Sequence, residues 1–90
     1  MSNVSTPAAS GAAPRLALVT GGGGGIGATV CRELALAGFR VVVSDVDARR
    51  AGRVADELGP PHAAHAFDVS DEAAVERALD EIETRHGPIA

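Results

Sequence analysis

The chain contains no tyrosine, no tryptophan and no lysine, and its only phenyl rings are Phe39 and Phe67. Any mechanism that needs a tyrosine or a lysine is therefore impossible within these 90 residues. Hydrophobic residues reach 46%, but much of that is alanine, so a core must be built with few large anchors. A chain this short makes at most one small domain. The single cysteine, Cys31, excludes an internal disulfide framework and fits a reducing compartment, which points to a cytoplasmic protein. No apolar run approaches the roughly 20 residues that span a bilayer, so no membrane partner is expected. The eight basic residues, all arginine, are scattered along a chain of net charge −4, and no cluster offers a surface to nucleic acid. Residues 1–14 lack the basic start and apolar centre of a signal peptide and read as a disordered tail.

From Arg15 onward the chain alternates between two periodicities. RLALVT (15–20) is apolar without polar alternation, as in a strand buried on both faces. Ile26, Val30, Leu34 and Ala37 then recur at helical spacing, with Gly38 as a natural stop. RVVVSD (40–45) is β-branched and reads as a second buried strand. Asp47 can cap a helix whose apolar positions are Ala51, Val54, Ala55 and Leu58, ended by Gly59-Pro60-Pro61. HAAHAFDV (62–69) suggests a short third strand ending near Phe67. Ser70 is the expected cap of a third helix carrying Ala74, Val75, Ala78, Leu79 and Ile82, with Glu81 and Arg85 paired at i,i+4.

The pattern β-α-β-α-β-α predicts a parallel α/β sheet. Right-handed crossovers place the first two helices on one face and order the strands 3-2-1. The third helix should cross to the other face. The expected fold is thus the first half of a Rossmann-like doubly wound domain over 15–90, with no fourth strand and an open edge at the first.

Between the first strand and the first helix lies TGGGGGIG (20–27). Glycine loses more conformational entropy on folding than any other residue, so five in a row need a reason. A linker would be flanked by polar residues, whereas this run joins an apolar strand directly to an amphipathic helix. At such a junction the helix-start amides and the macrodipole attract phosphate, and glycine leaves room for its approach. A Walker A loop is excluded because Ala28 stands where its lysine belongs. Two dinucleotide registers remain open: Gly22, Gly24 and Gly27 fit GxGxxG, and Gly21, Gly25 and Gly27 fit GxxxGxG. Asp45, at the end of the second strand, adds an independent sign, since a dinucleotide site wants an acid there for the adenosine ribose. A 2′-phosphate beside that carboxylate would set like charges together, so NAD is expected over NADP. Arg49 and Arg50 lie near in sequence but read as solvated helix residues.

With these residues assembled, the chain resembles the short-chain dehydrogenase/reductase family, whose glycine motif is TGxxxGxG. Thr20-Gly21 and Gly25-Ile26-Gly27 match it, which selects the second register. VVVSD, DVSDEAAVERAL and HGPIA continue the likeness, so that it covers about Arg15 to Ala90. The resemblance implies that Gly21, Gly24, Gly25, Ile26 and Gly27 approach the pyrophosphate and its adjoining ribose. It also implies that Asp45 binds the adenosine ribose, that Asp68 accepts from the adenine amino group and that the Val69 amide donates to the ring. Some NADP-using members carry a basic residue where this chain has Gly24, which again favours NAD. A homo-oligomer is expected of a full-length form. The family's tyrosine, lysine and serine follow an NNAG segment that this sequence does not contain, so no catalytic residue is assigned and the expected role is the cofactor-binding part of an oxidoreductase of carbonyl and alcohol groups.

Two other functions fit parts of the pattern. One is a stand-alone nucleotide-binding module without catalysis. The other is an S-adenosylmethionine methyltransferase, which usually carries an acid just before its glycines, where Thr20 stands here. Cys31 reads as a small core residue. His62, His65 and His86 lack acid or cysteine partners at metal-ligand spacing and read as packed or solvated.

Overall fold

A computed structural model of the chain describes residues 15–90; the tail expected over 1–14 lies outside them. Three strands, β1 (Leu16–Val19), β2 (Arg40–Val43) and β3 (Ala63–Ala64), alternate with three helices, α1 (Gly25–Leu36), α2 (Ala48–Leu58) and α3 (Glu72–His86). The sheet is parallel with β2 in the centre: Leu16 to Val19 pair with Arg40 to Val43, and Val42 and Val43 pair with Ala63 and Ala64. This is the order expected from right-handed crossovers.

Strand geometry sends successive side chains to opposite faces, and β2 feeds two cores this way. Val41 and Val43 join Ala28 and Cys31 of α1 and Ala51, Val54 and Ala55 of α2. Val42 turns the other way and packs with Leu16 and Ile82, the latter from α3. The helices therefore cover both faces, two on one side and one on the other, which makes the domain half of a doubly wound α/β fold.

Several local expectations need correction. Helix α1 buries Ala28 and Cys31, whereas Ile26 is 86% exposed. Small residues on the inner face let α1 lie close on the strands; Leu34, as expected, packs partly buried against this core, while Ile26 and Leu36 stay exposed. The third strand is only two residues long, because the chain leaves the ladder after His65 donates its amide to the Val43 carbonyl. Helix α3 is capped by Asp71, whose side chain accepts from the Ala74 amide, and not by Ser70. Ser70 is occupied elsewhere, donating its amide and hydroxyl to Asp68 Oδ1 at 2.9 and 2.7 Å. Glu81 faces His65 at 3.2 Å and not Arg85. The edge of β1 is also not wholly open: Ile89 forms a parallel bridge with Leu16, and the Ala90 amide donates to the Leu16 carbonyl at 2.8 Å. HGPIA thus adds one parallel rung beside β1.

Candidate functional site

In a parallel sheet with alternating helices, the loops after each strand gather at one end. Here that end receives the glycine run after β1, Asp45 after β2 and Asp68-Val69 after β3. Gly21 adopts φ +67°, a left-handed conformation that suits glycine, and its carbonyl accepts from the Gly24 amide at 3.2 Å to close a tight turn. Two further amides fasten the loop to β2 and its extension. Gly22 donates to the Ser44 carbonyl at 2.7 Å, and Gly23 donates to Asp45 Oδ2 at 3.2 Å.

The glycines divide into two kinds. A Cβ on Gly27 would overlap the Gly21 carbonyl oxygen, and one on Gly22 would stand 2.9 Å from both Val19 O and Val43 Cγ1. Gly23 would meet the Arg50 Cβ at 2.6 Å. These three are demanded by the packing of the protein itself. Gly24 and Gly25 are not: a Cβ on Gly24 would lie 3.6 Å from its nearest neighbour, and one on Gly25 would meet nothing within 4 Å. Beside that clear space, the first-turn amides of Gly25, Ile26 and Gly27 take no acceptor from the described residues, and the N-cap Gly24 supplies no side-chain bond. Unpaired donors at a positive helix end, with no side chain in front, suit an anionic oxygen. The cradle therefore fits a pyrophosphate. Sequence alone does not show why Gly22 and Gly23 must be glycine, because the atoms that confine them come from β1, β2, α1 and α2.

Asp45 is 8% exposed and sits at the rim of this loop. Its Oδ2 accepts from Gly23, and its Oδ1 accepts from the Asp47 amide at 3.0 Å. An ionised carboxylate offers about four lone-pair positions, so both oxygens retain capacity for hydroxyl donors. Asp47 caps α2 through the amides of Arg49 and Arg50 at 2.9 and 3.3 Å, as expected. Those amides, that of Arg50 foremost, hold its carboxyl below the usual aspartate value. Asp68 and Val69 are exposed at the same end of the sheet. The Ser70 hydroxyl, followed by the Ser70 amide, holds the Asp68 carboxyl below its usual value. The structure thus brings Asp45 into direct contact with the glycine loop and leaves Asp68-Val69 as a separate, solvated element of the same rim.

Below the loop, Cys31 is fully buried with its Sγ 4.0 Å from the Gly22 carbonyl, and burial pushes its thiol up. At the opposite end of the sheet, His62 Nδ1 accepts from the Val41 amide at 3.0 Å. Arg40 donates to the His86 carbonyl at 3.1 Å. Among the described residues no group of three or more metal-ligating side chains converges, and no helix is long and apolar enough to cross a membrane.

Comparison with known proteins agrees with this architecture. The family described as short chain dehydrogenase matches residues 15–90. Sorbitol dehydrogenase of Cereibacter sphaeroides is 36% identical over 75 residues, covering 83% of this chain and 29% of that protein. Sex determination protein tasselseed-2 of Zea mays is 42% identical over 73 residues, 81% of this chain and 22% of its own length. Among solved structures, 3-ketoacyl-(acyl-carrier-protein) reductase from Brucella melitensis, complexed with NADH, superposes with a TM-score of 0.79 at 37% identity, over 83% of this chain and 31% of that one. A gluconate 5-dehydrogenase from Burkholderia cenocepacia, in complex with NADP and tartrate, gives 0.75 at 41% identity over the same shares. The chain thus spans less than a third of these relatives. By fold, glycine motif and the match over all its described residues, it belongs to the short chain dehydrogenase family.

Proposed function

We propose that residues 15–90 bind the adenosine and pyrophosphate portion of NAD(H), as the N-terminal part of an oxidoreductase acting on carbonyl or alcohol groups. Gly21, Gly24, Gly25, Ile26 and Gly27 lie at the pyrophosphate, Asp45 at the adenosine ribose, and Asp68 with Val69 at the adenine. The observation that carries this reading is the pairing of unsatisfied first-turn amides with a Cβ space at Gly25 that the protein leaves empty. NAD supplies hydride acceptance and donation at its nicotinamide. The residues of this chain bind and orient; with no tyrosine or lysine among them, they offer no proton transfer of the kind the family uses.

Asp45 favours NAD over NADP. Its carboxylate is held in place by two backbone amides, so it cannot turn away from a 2′-phosphate without leaving both donors unpaired. The test is calorimetric titration of the chain with ADP-ribose, NAD and NADP. ADP-ribose and NAD should bind with similar strength, and NADP more weakly. Asp45→Asn should reduce ADP-ribose affinity about tenfold or more, the worth of a charge-assisted hydrogen bond. Absence of ADP-ribose binding would sink the proposal.

A further inference from the structure

Strand β3, at the edge of the sheet, is held to β2 by very little. Ala63 and Ala64 pair with Val42 and Val43, and the His65 amide adds one bond to the Val43 carbonyl at 2.9 Å. Val41 lies two residues before Val43, so its amide faces the same edge. The acceptor it finds there is not a backbone carbonyl but Nδ1 of His62, at 3.0 Å. A side chain thus stands in for a rung of the ladder, at the end of the sheet away from the glycine loop.

A backbone amide only donates, so this ring nitrogen must accept, and the neutral imidazole carries its proton on Nε2. Protonation at Nδ1 would set one N–H against another. The surroundings keep the ring neutral: burial, then the Arg40 charge, holds His62 below the ordinary histidine value. Arg40 is itself fixed on its other side, its Nη2 donating to the His86 carbonyl at the end of α3 at 3.1 Å, with His86 Nδ1 at 3.5 Å. Beyond it, Arg85 adds positive charge beside His86. The Asp56 carboxylate of α2 lines the hollow beside His62, but it is exposed and its attraction is screened.

We propose that His62 is a proton-released rung of the β2–β3 pair: neutral, it fastens the edge strand to β2, and protonated, it lets that strand go. The inference does not rest on the nucleotide reading. A freed imidazole titrates near about 6.5, and while the fastened one stays neutral each pH unit below that favours the released form about tenfold. The bond's contribution is therefore complete above that pH and is lost as pH falls. With so short a ladder, the His65 amide should be released together with that of Val41.

The test is amide exchange followed by NMR, each rate divided by its intrinsic value at that pH, on the 90-residue chain and on His62→Asn. The carboxamide oxygen of asparagine reaches the place of Nδ1 and accepts without titrating. In wild type, protection of the Val41 and His65 amides should fall about tenfold from pH 7.5 to pH 5.5 and stay below that of Ser44, whose amide is bonded to Val19 of β1. In His62→Asn the fall should shrink to less than about twofold. An undiminished fall in His62→Asn overturns the proposal, as does wild-type protection that is level between the two pH values. Equal protection of Val41, His65 and Ser44 at pH 5.5 would mean that the whole domain opens at once, and that overturns a local release.

Discussion

Two alanine substitutions two residues apart, Gly25→Ala and Gly27→Ala, should act in opposite directions on stability. At Gly27 the added methyl would overlap the Gly21 carbonyl oxygen and come within 2.8 Å of Gly21 C and Gly22 Cα. All three are backbone atoms. They cannot swing aside as a side chain would, and the turn they form is fastened by the Gly22 amide to Ser44. Relief requires moving α1 or the turn, an overpacking strain of about 1–3 kcal/mol. At Gly25 the methyl meets nothing within 4 Å, and replacing a helical glycine stabilises by about 0.5–1 kcal/mol. The chain lacks tryptophan and tyrosine, so helical circular dichroism is the appropriate signal. At about 4–8 °C per kcal/mol for a domain of this size, Gly27→Ala should melt roughly 5–20 °C below wild type and Gly25→Ala slightly above it. Binding should not follow stability. The Gly25 methyl would enter the open space at the helix start where the phosphate is proposed to lie, so this more stable variant should bind ADP-ribose more weakly. A Gly27→Ala protein melting with wild type would refute the packing argument. A Gly25→Ala protein binding as wild type would place the phosphate elsewhere.

Other consequences can be checked on the same protein. Burial, then the Arg40 charge, holds the imidazoles of His62 and His86 below the ordinary value. Their unfolded forms titrate near about 6.5, so the stability they contribute is complete above that pH and is lost as pH falls through the lowered folded values. Urea unfolding should therefore give lower stability at pH 5.5 than at pH 7.5, and equal values would contradict the assignment. Ile82 is 0% exposed and is the anchor of α3 on Leu16 and Val42, so Ile82→Ala should cost about 2–5 kcal/mol in urea unfolding. A loss under 1 kcal/mol would mean that α3 does not hold that face. Cys31, buried with its thiol pushed up, should react with a disulfide reagent only as the protein unfolds. Rapid modification without denaturant would show that α1 opens locally.

The strands and helices were legible because each carries its own period: VVVSD is unambiguous as a buried strand, and Asp47 before an amphipathic run is unambiguous as a cap. Asp71 was not separable from Ser70, since DVSDE offers two capping side chains within two residues and only the Asp68–Ser70 bonds decide between them. Part of the inner face of α1 was illegible for a related reason: Leu34 does pack against the core, but Ile26 does not. Hydrophobic size ranks Ile26 and Val30 above Ala28 and Cys31, yet close approach of a helix to a sheet selects the smaller pair. At the site, spacing raised the glycine run and Asp45 as candidates but left two glycine registers open, and the family resemblance chose between them. What spacing could not give is that a side chain on Gly23 would run into Arg50, because that approach joins the first loop to the second helix.

The fastening of the glycine loop by Ser44 and Asp45 has a kinetic consequence. Its turn is closed by the Gly24–Gly21 bond and tied to β2 and its extension by the Gly22 and Gly23 amides, all bonds made within the protein itself. For the nucleotide proposed above, a loop held in this way need not be ordered on arrival, so the encounter should carry little conformational penalty at the loop. Association should then run near the rate of an orienting collision, and differences among nucleotides should appear in how long each one stays.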